Sequence, residues 1–108
     1  MNVKELSSVC GFKALSMPCP DREVSGAYTG DLLSWVMGRA AADNAWITIM
    51  SNINVVAVAS LADVSCVILA EGVTPDGQLL ETAEKKGVNI LSSENSAFET
   101  AVLLSGKV

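Results

Sequence analysis

Residues 46–70 read WITIMSNINVVAVASLADVSCVILA, and two continuous apolar runs within this stretch decide the fold. Trp46–Met50 and Val64–Leu69 do not alternate polar with apolar residues, which is the pattern of strands buried on both faces of a sheet. Between them, Ile53–Ala62 mixes β-branched residues, which favour strand, with alanines, which tolerate helix. The polar positions Asn54, Ser60 and Asp63 recur irregularly, and two parallel strands need a crossover to join them. The segment is therefore read as a helix, and the whole stretch as a right-handed βαβ unit.

Toward the C-terminus the alternation continues. Thr74-Pro75 is expected to open a helix as cap and first residue, running to Lys86 with Gly87 as its stop. Val88–Leu91 reads as a further strand, and Ser93 is expected to cap a last helix carrying Ala97, Phe98, Ala101 and Val102. Toward the N-terminus, Asp31 to about Ala40 reads as a helix with Asp31 as cap or first-turn acid. Leu32, Leu33, Val36 and Met37 form its apolar stripe, and Trp35 falls off the stripe beside Asp31 and Arg39. Val24–Thr29 is a strand ended by Gly30, Pro18, Pro20 and Asp21 make a loop, and Phe12–Ser16 is a short strand. The chain opens on a helix with Asn2 and Glu5 as a capping box, Val3, Leu6 and Cys10 on one face, and Gly11 as its terminator. These elements predict an α/β fold: a three-layer α/β/α sandwich around a largely parallel or mixed sheet of about five strands.

Composition narrows the function classes. Half of the 108 residues are hydrophobic and 18% are charged, too apolar for a disordered chain and sufficient for one core. The formal net charge of −5, with scattered lysines, argues against nucleic acid, whose phosphates require clustered cations. Cys10, Cys19 and Cys66 have no metal-ligand spacing and no histidine is present, so neither a metal site nor a cofactor is expected. An odd number of cysteines without a secretory signal is read as reduced thiols in a cytoplasmic protein. Ser51, Asn52, Asn54 and Asp63 interrupt the only long apolar region, so no membrane span is expected.

Ligands of parallel sheets collect beyond the carboxyl ends of the strands, near helix N-termini. That rule selects Gly30-Asp31, Ser51-Asn52, Glu71-Gly72 and Ser92-Ser93. The stretch Asp21-Arg22-Glu23-Val24-Ser25-Gly26-Ala27-Tyr28-Thr29-Gly30-Asp31 adds two glycines four apart and one of the two arginines, Arg39 being the other. Arg22 beside Asp21 is read either as a guanidinium offered to a phosphate or carboxylate, or as a tie to a neighbouring loop. Gly26 and Gly30 permit close approach of a ligand, or simply a backbone turn. Without histidine, Ser-His and Cys-His nucleophile pairs are excluded, and no pair of carboxylates is placed by spacing for acid–base work.

The order Asp21-Arg22, Ser25-Gly26, Gly30 resembles the DRTGG domain family, with Ser25 replacing the threonine, one hydroxyl for another. The likeness extends through Gly30-Asp31-Leu32-Leu33 to Glu71-Gly72 and, with the element order, over residues 1–108 as a single domain. It implies the three-layer fold shared with the N-terminal domains of HPr kinase/phosphorylase and the Mur ligases. Asp21-Arg22 followed by Gly30-Asp31-Leu32 is similar to the pattern with which that domain helps Mur ligases hold a uridine nucleotide, although the serine between Asp and Arg is missing here. No P-loop of the kinase half is present; the sole Gly-Lys, Gly106-Lys107, lacks the rest of the motif.

In larger proteins the family serves regulation and subunit assembly. The resemblance therefore implies a non-catalytic regulatory or assembly module, a homodimer with Trp35 and Arg39 near the interface. It is open to a protein partner and to a small anion such as a nucleotide at Asp21, Arg22, Ser25, Gly26, Gly30, Asp31, Ser51 and Asn52. The competing reading is a small enzyme acting on a phosphorylated metabolite through Arg22, Asp21 and Asp31.

Overall fold

In the computed structural model, which describes residues 1–108, the elements follow one another as α1 (Val3–Cys10), β1 (Lys13–Ser16), β2 (Ala27–Thr29), α2 (Leu33–Arg39), β3 (Ala45–Thr48), α3 (Asn54–Ala62), β4 (Cys66–Leu69), α4 (Gly77–Lys86), β5 (Ile90–Ser92) and α5 (Ala97–Leu104). The sheet order is β1-β5-β4-β3-β2. β2, β3, β4 and β5 are parallel, and β1 adds itself antiparallel to β5, so the sheet is mixed. Every residue of β3 and β4 is buried, as their unbroken apolar sequence requires of central strands covered on both faces.

The alternation of side chains across the sheet divides the core in two. Trp46, Val67, Leu69 and Ile90 face one way and pack with Val36 of α2, Val55, Val56, Val58 and Ala59 of α3, and Leu79 and Ala83 of α4. Ala45, Ile47, Cys66, Ile68 and Leu91 face the other way, against Val3 and Leu6 of α1 and Leu104 of α5. This is the α/β/α sandwich. The helices α2, α3 and α4 each follow one parallel strand and precede the next, so all three run back from the carboxyl to the amino end of the sheet.

The first helix forms as its sequence dictates: Asn2 and Glu5 close a capping box, and Gly11 ends it in the left-handed region at φ 72°. Elsewhere the helix starts lie later than expected. Asp31 does not cap α2, whose N-cap is Leu32 without a side-chain bond. Thr74-Pro75 does not open α4; Asp76 caps it, accepting from the Gln78 amide. Ser93 does not cap α5; Ser96 does, in a capping box with Glu99, while the buried Ser93 hydroxyl pairs with Thr100. The expected strand Val24–Thr29 is shorter, because Val24 and Ser25 bond the main chains of Met1 and Asp43 before β2 begins. No helix is long and apolar enough to cross a membrane.

Candidate functional site

The candidate residues fall at opposite ends of the sheet. Strands of three or four residues, at about 3.3 Å per residue, hold the two ends about 10 Å apart. Asp21, Arg22, Ser25 and Gly26 precede β2 at the amino end, whereas Gly30, Asp31, Ser51 and Asn52 follow β2 and β3 at the carboxyl end.

At the amino end Arg22 is tied down. Its Nη2 donates to Asp43 Oδ1 at 3.0 Å, to Asp63 Oδ1 at 2.8 Å and to the Asp63 carbonyl at 2.6 Å. Partial burial works to lower the pKa of this guanidinium, but the hydrogen bonds and charges of Asp43 and Asp63 outweigh it and raise it. Both aspartates sit in the left-handed region, Asp43 at φ 68° and Asp63 at φ 59°, closing the turns that lead into β3 and β4. Asp21 is exposed and has no part in this network.

Neighbouring groups complete the same closure. Ser25 donates its amide to the Asp43 carbonyl, and its own carbonyl accepts from Asn44 Nδ2. Gly26, at φ 75°, lies where a Cβ would come within 3.0 Å of Asn44 Nδ2, so it is a packing glycine. The Ser65 hydroxyl donates to the Glu23 and Asp43 carbonyls. Asn89, buried, bonds both backbone groups of Cys19 and the carbonyl of Ser65. The bonds that Arg22, Ser65 and Asn89 make all go to other loops of the chain, which supports the tie reading of Arg22.

At the carboxyl end Asp31 does comparable work. Its Oδ1 accepts from the Thr48 hydroxyl at 2.8 Å and from the Ile49 amide at 2.9 Å, fixing the chain as it leaves β3. The Gly30 carbonyl accepts from the indole of the fully buried Trp46 at 2.9 Å. Ser51 accepts the Asp76 amide on its carbonyl, and the Asn52 side chain accepts the Asn54 amide at the start of α3. Glu71 and Gly72 leave β4 with consecutive positive φ values of 63°, their amides held by the Asn95 and Ser93 carbonyls. The charges facing this end from the loops are carboxylates: Asp31, Glu71, Asp76 and Glu94, none in an ion pair. An anion would meet repulsion there.

The surface has shallow depressions: about 430 Å³ between α3 and α4, about 260 Å³ beside Phe98 and Val102 on α5, and about 570 Å³ along α1. Of the candidate ligand residues only Asp21 lines any of them. No group of His, Cys, Asp or Glu stands close enough to hold a metal ion.

Trp35 and Arg39 present a different picture. Trp35 is 52% exposed, and the Arg39 guanidinium stacks over its ring at 3.7 Å from the centroid, with no carboxylate partner. Of the stripe expected to pack inward, Val36 is buried and Leu33 half-buried, but Leu32 and Met37 are exposed. Sequence reasoning missed this, and it missed Asp43 and Asp63 as the partners of Arg22. The signal for the outer face was available: α2 and α3, seven and nine residues long, carry Arg39 as their sole charge, where surface helices carry charged outer faces.

The chain matches the DRTGG domain over residues 32–106, more than half its length, and belongs to that family. The match begins after the Asp21–Asp31 stretch on which the likeness was first read, so these residues stand outside the matched span. Among solved structures the chain is similar to the CBS and DRTGG domains of the regulatory region of Clostridium perfringens pyrophosphatase, complexed with its activator diadenosine tetraphosphate. The TM-score is 0.75 at 14% identity, over 95% of this chain and 45% of that one, so the chain spans less than half of that regulatory region. No curated protein sequence matches.

Proposed function

We propose that residues 1–108 form a single DRTGG domain that acts as a cytoplasmic, non-catalytic regulatory module and works by assembling as a homodimer through the face around Trp35 and Arg39. The observation that carries this reading is the exposed Trp35–Arg39 stack on a helix with no other charge. Tryptophan and arginine are the residues that dominate binding energy at interfaces, and an unpaired guanidinium over an exposed indole is a ready anchor. Membership of the family, with its likeness to the regulatory region of a pyrophosphatase, supports the regulatory half of the reading.

The non-catalytic half is supported by geometry. Arg22 and Asp31, the groups a small enzyme would bring to a phosphorylated metabolite, lie at opposite ends of the sheet, each engaged with the chain's own loops. Light scattering tests the assembly reading directly: the wild-type chain is expected at twice its 11.2 kDa mass, and Trp35→Glu at once. A monomeric wild-type chain overturns it.

Sensing of a small anion such as a nucleotide is the second reading, favoured by the nucleotide activator of the pyrophosphatase regulatory region. A thermal-shift series with diadenosine tetraphosphate, uridine nucleotides and inorganic phosphate tests it. Ligand at 100 times its Kd adds about 2.7 kcal/mol, a shift of several degrees in a domain of this size. No shift with any of them removes the anion from the reading and leaves the assembly role.

A further inference from the structure

The two edges of the sheet are built differently. β1, at one end, carries the exposed Lys13 and a register irregularity between Ala14 and Ser16, two devices that keep an edge from pairing. β2, at the other end, reads Ala27-Tyr28-Thr29, with no charge, no proline and no irregularity. Gly26 and Gly30 turn their backbone groups to Ala45 and Ile47 of β3. By alternation Tyr28 does the same, and Ala27 and Thr29 point theirs outward. The amides and carbonyls of Ala27 and Thr29 accordingly bond no group of the chain.

Both helical layers bring apolar side chains to this same edge. The crossover from β2 to β3 is right-handed and Val36 of α2 is turned to the sheet. The sense of the helix then directs Met37 toward α3, and Leu32 and Trp35 toward the open edge. On the opposite face α5 packs beneath β2 and β3, and its Leu103 carbonyl accepts from the Cys10 thiol of α1. Phe98, 77% exposed, stands about 140° round the helix from Leu103 and faces the β2 edge, with Val102 one turn further along. Exposed apolar groups thus flank the open strand in the layer above and in the layer below.

We infer that the occupant of this edge is the same edge of a second copy, joined strand to strand so that the two sheets become one. A two-fold axis perpendicular to the sheet at Tyr28 sets the two β2 strands antiparallel. Ala27 then lies opposite the partner's Thr29, each such pair exchanges both bonds, and every outward group of Ala27 and Thr29 is satisfied. A two-fold along the strands would set like residues level, whereas a parallel ladder staggers them, so that pairing does not form. The perpendicular axis also lays α2 beside the partner's α2 and α5 beside the partner's α5. Trp35, near the middle of α2, meets its own copy, and Phe98 approaches the partner's Val102. A lone peptide strand would pair with the edge but leave Trp35 and Phe98, one layer above and one below, in water. A body with the same three layers covers all of them at once, and a second copy is such a body. This inference rests on the dimer reading above and supplies its surface and register.

Hydrogen exchange of the wild-type chain reads the edge directly. The Ala27 and Thr29 amides are expected to be protected at concentrations where light scattering finds a dimer, and to exchange freely where it finds a monomer. Free exchange of both amides in a dimer overturns the edge pairing and leaves the dimer reading standing. Thr29→Pro removes only an outward donor, which serves no bond within the chain. The dimer then loses two of its four strand bonds, and its Kd, read by sedimentation, is expected to rise on the order of 10- to 100-fold. Thr29→Lys keeps the backbone donor but sets a charge in the interface, and is expected to weaken the dimer to a similar degree. Leu61→Glu, exposed on the outer face of α3, is expected to leave Kd unchanged. Circular dichroism checks the fold of each variant, and Thr29→Lys carries the test where Thr29→Pro does not fold. Wild-type Kd in the folded Thr29 variants, or dissociation of a folded Leu61→Glu, places the interface elsewhere and overturns the inference. A chain that is monomeric at every concentration overturns the dimer reading itself.

Discussion

Arg22 and Asp63, forty-one positions apart, are joined twice by one nitrogen: Nη2 of Arg22 donates to both the carboxylate and the main-chain carbonyl of Asp63. The contact fixes a left-handed residue, Asp63, at the turn between α3 and β4. A charged donor to a carbonyl is worth about 1.5–3 kcal/mol, while the carboxylates are half-exposed and screened. Arg22→Ala is therefore expected to lower unfolding stability by about 1–2 kcal/mol in urea. Arg22→Lys should restore less than half, because the shorter, more strongly hydrated ammonium cannot add the second bond that Nε makes to Asp43 Oδ1 at 3.4 Å. Unchanged stability would show that Arg22 is not a structural tie.

Cys66 gives the protein an alkaline limb. Complete burial pushes its thiol from 9.0 up to about 12, with the Arg22 charge pulling weakly the other way. The folded state holds the thiol proton more tightly than the unfolded chain. Stability from this group is therefore complete below the unfolded value of 9.0 and is lost as pH rises from there toward about 12. The slope is about 1.4 kcal/mol per pH unit within that window. Urea midpoints measured through the window are expected to fall for the wild type and to fall less for Cys66→Ala. Cys19, which is exposed, should react with a thiol reagent in the native state and Cys66 should not.

What could be read from the chain alone divides along the same line as these contacts. The capping box of Asn2 and Glu5 and the stop at Gly11 are local, so sequence spacing sufficed. The buried strands β3 and β4 were legible because burial on both faces leaves an unbroken apolar run. The starts of α4 and α5 were placed early because Thr74-Pro75 and Ser93 carry cap chemistry too; the reciprocal Ser96–Glu99 pair was the more specific signal. The partners of Arg22 were out of reach. Asp43 and Asp63 arrive through turns 21 and 41 positions away, and no local pattern encodes that meeting. Nor does periodicity alone tell an inward apolar stripe from a neutral outer face, which is why Leu32 and Met37 were assigned to the core.

Asp31 provides a test between a helix cap and a strand-end tie. Its Oδ1 accepts from the buried Thr48 hydroxyl and the Ile49 amide, and α2 receives nothing from it. Asp31→Ala is expected to cost about 1–3 kcal/mol, since it strands a buried hydroxyl and a backbone donor. Asp31→Asn, which keeps one oxygen in place, should cost less. Asp31→Ser separates the two roles: serine replaces aspartate well at an N-cap, but its shorter side chain does not reach across to β3. Full recovery in Asp31→Ser, read by urea unfolding, would return the residue to the capping role.

Asn89 supplies the sharpest chemical test of the amino-end closure. Its Nδ2 donates to the carbonyls of Cys19 and Ser65 at 2.8 and 2.9 Å, and its Oδ1 accepts from the Cys19 amide at 2.9 Å. The residue is 1% exposed, so water does not replace these bonds readily. Asn89→Ala strips the Cys19 amide of its acceptor and the Cys19 and Ser65 carbonyls of a donor each, the Cys19 carbonyl keeping its 3.3 Å bond from the Arg22 amide, and is expected to cost about 2–4 kcal/mol. Asn89→Asp keeps the acceptor but sets a second oxygen against two carbonyls, an arrangement that only a protonated carboxyl can satisfy with one donor. Burial and the carbonyl dipoles then raise the pKa of the new carboxyl in the folded state. Its stability deficit should shrink as pH falls below the folded value and grow as pH rises through it, the reverse of a salt-bridged aspartate. Urea unfolding of Asn89→Asp beside the wild type at mildly acid and at neutral pH measures this. A deficit independent of pH would mean that the new carboxylate reaches solvent, and that the loop carrying Cys19 opens more easily than its hydrogen bonds imply.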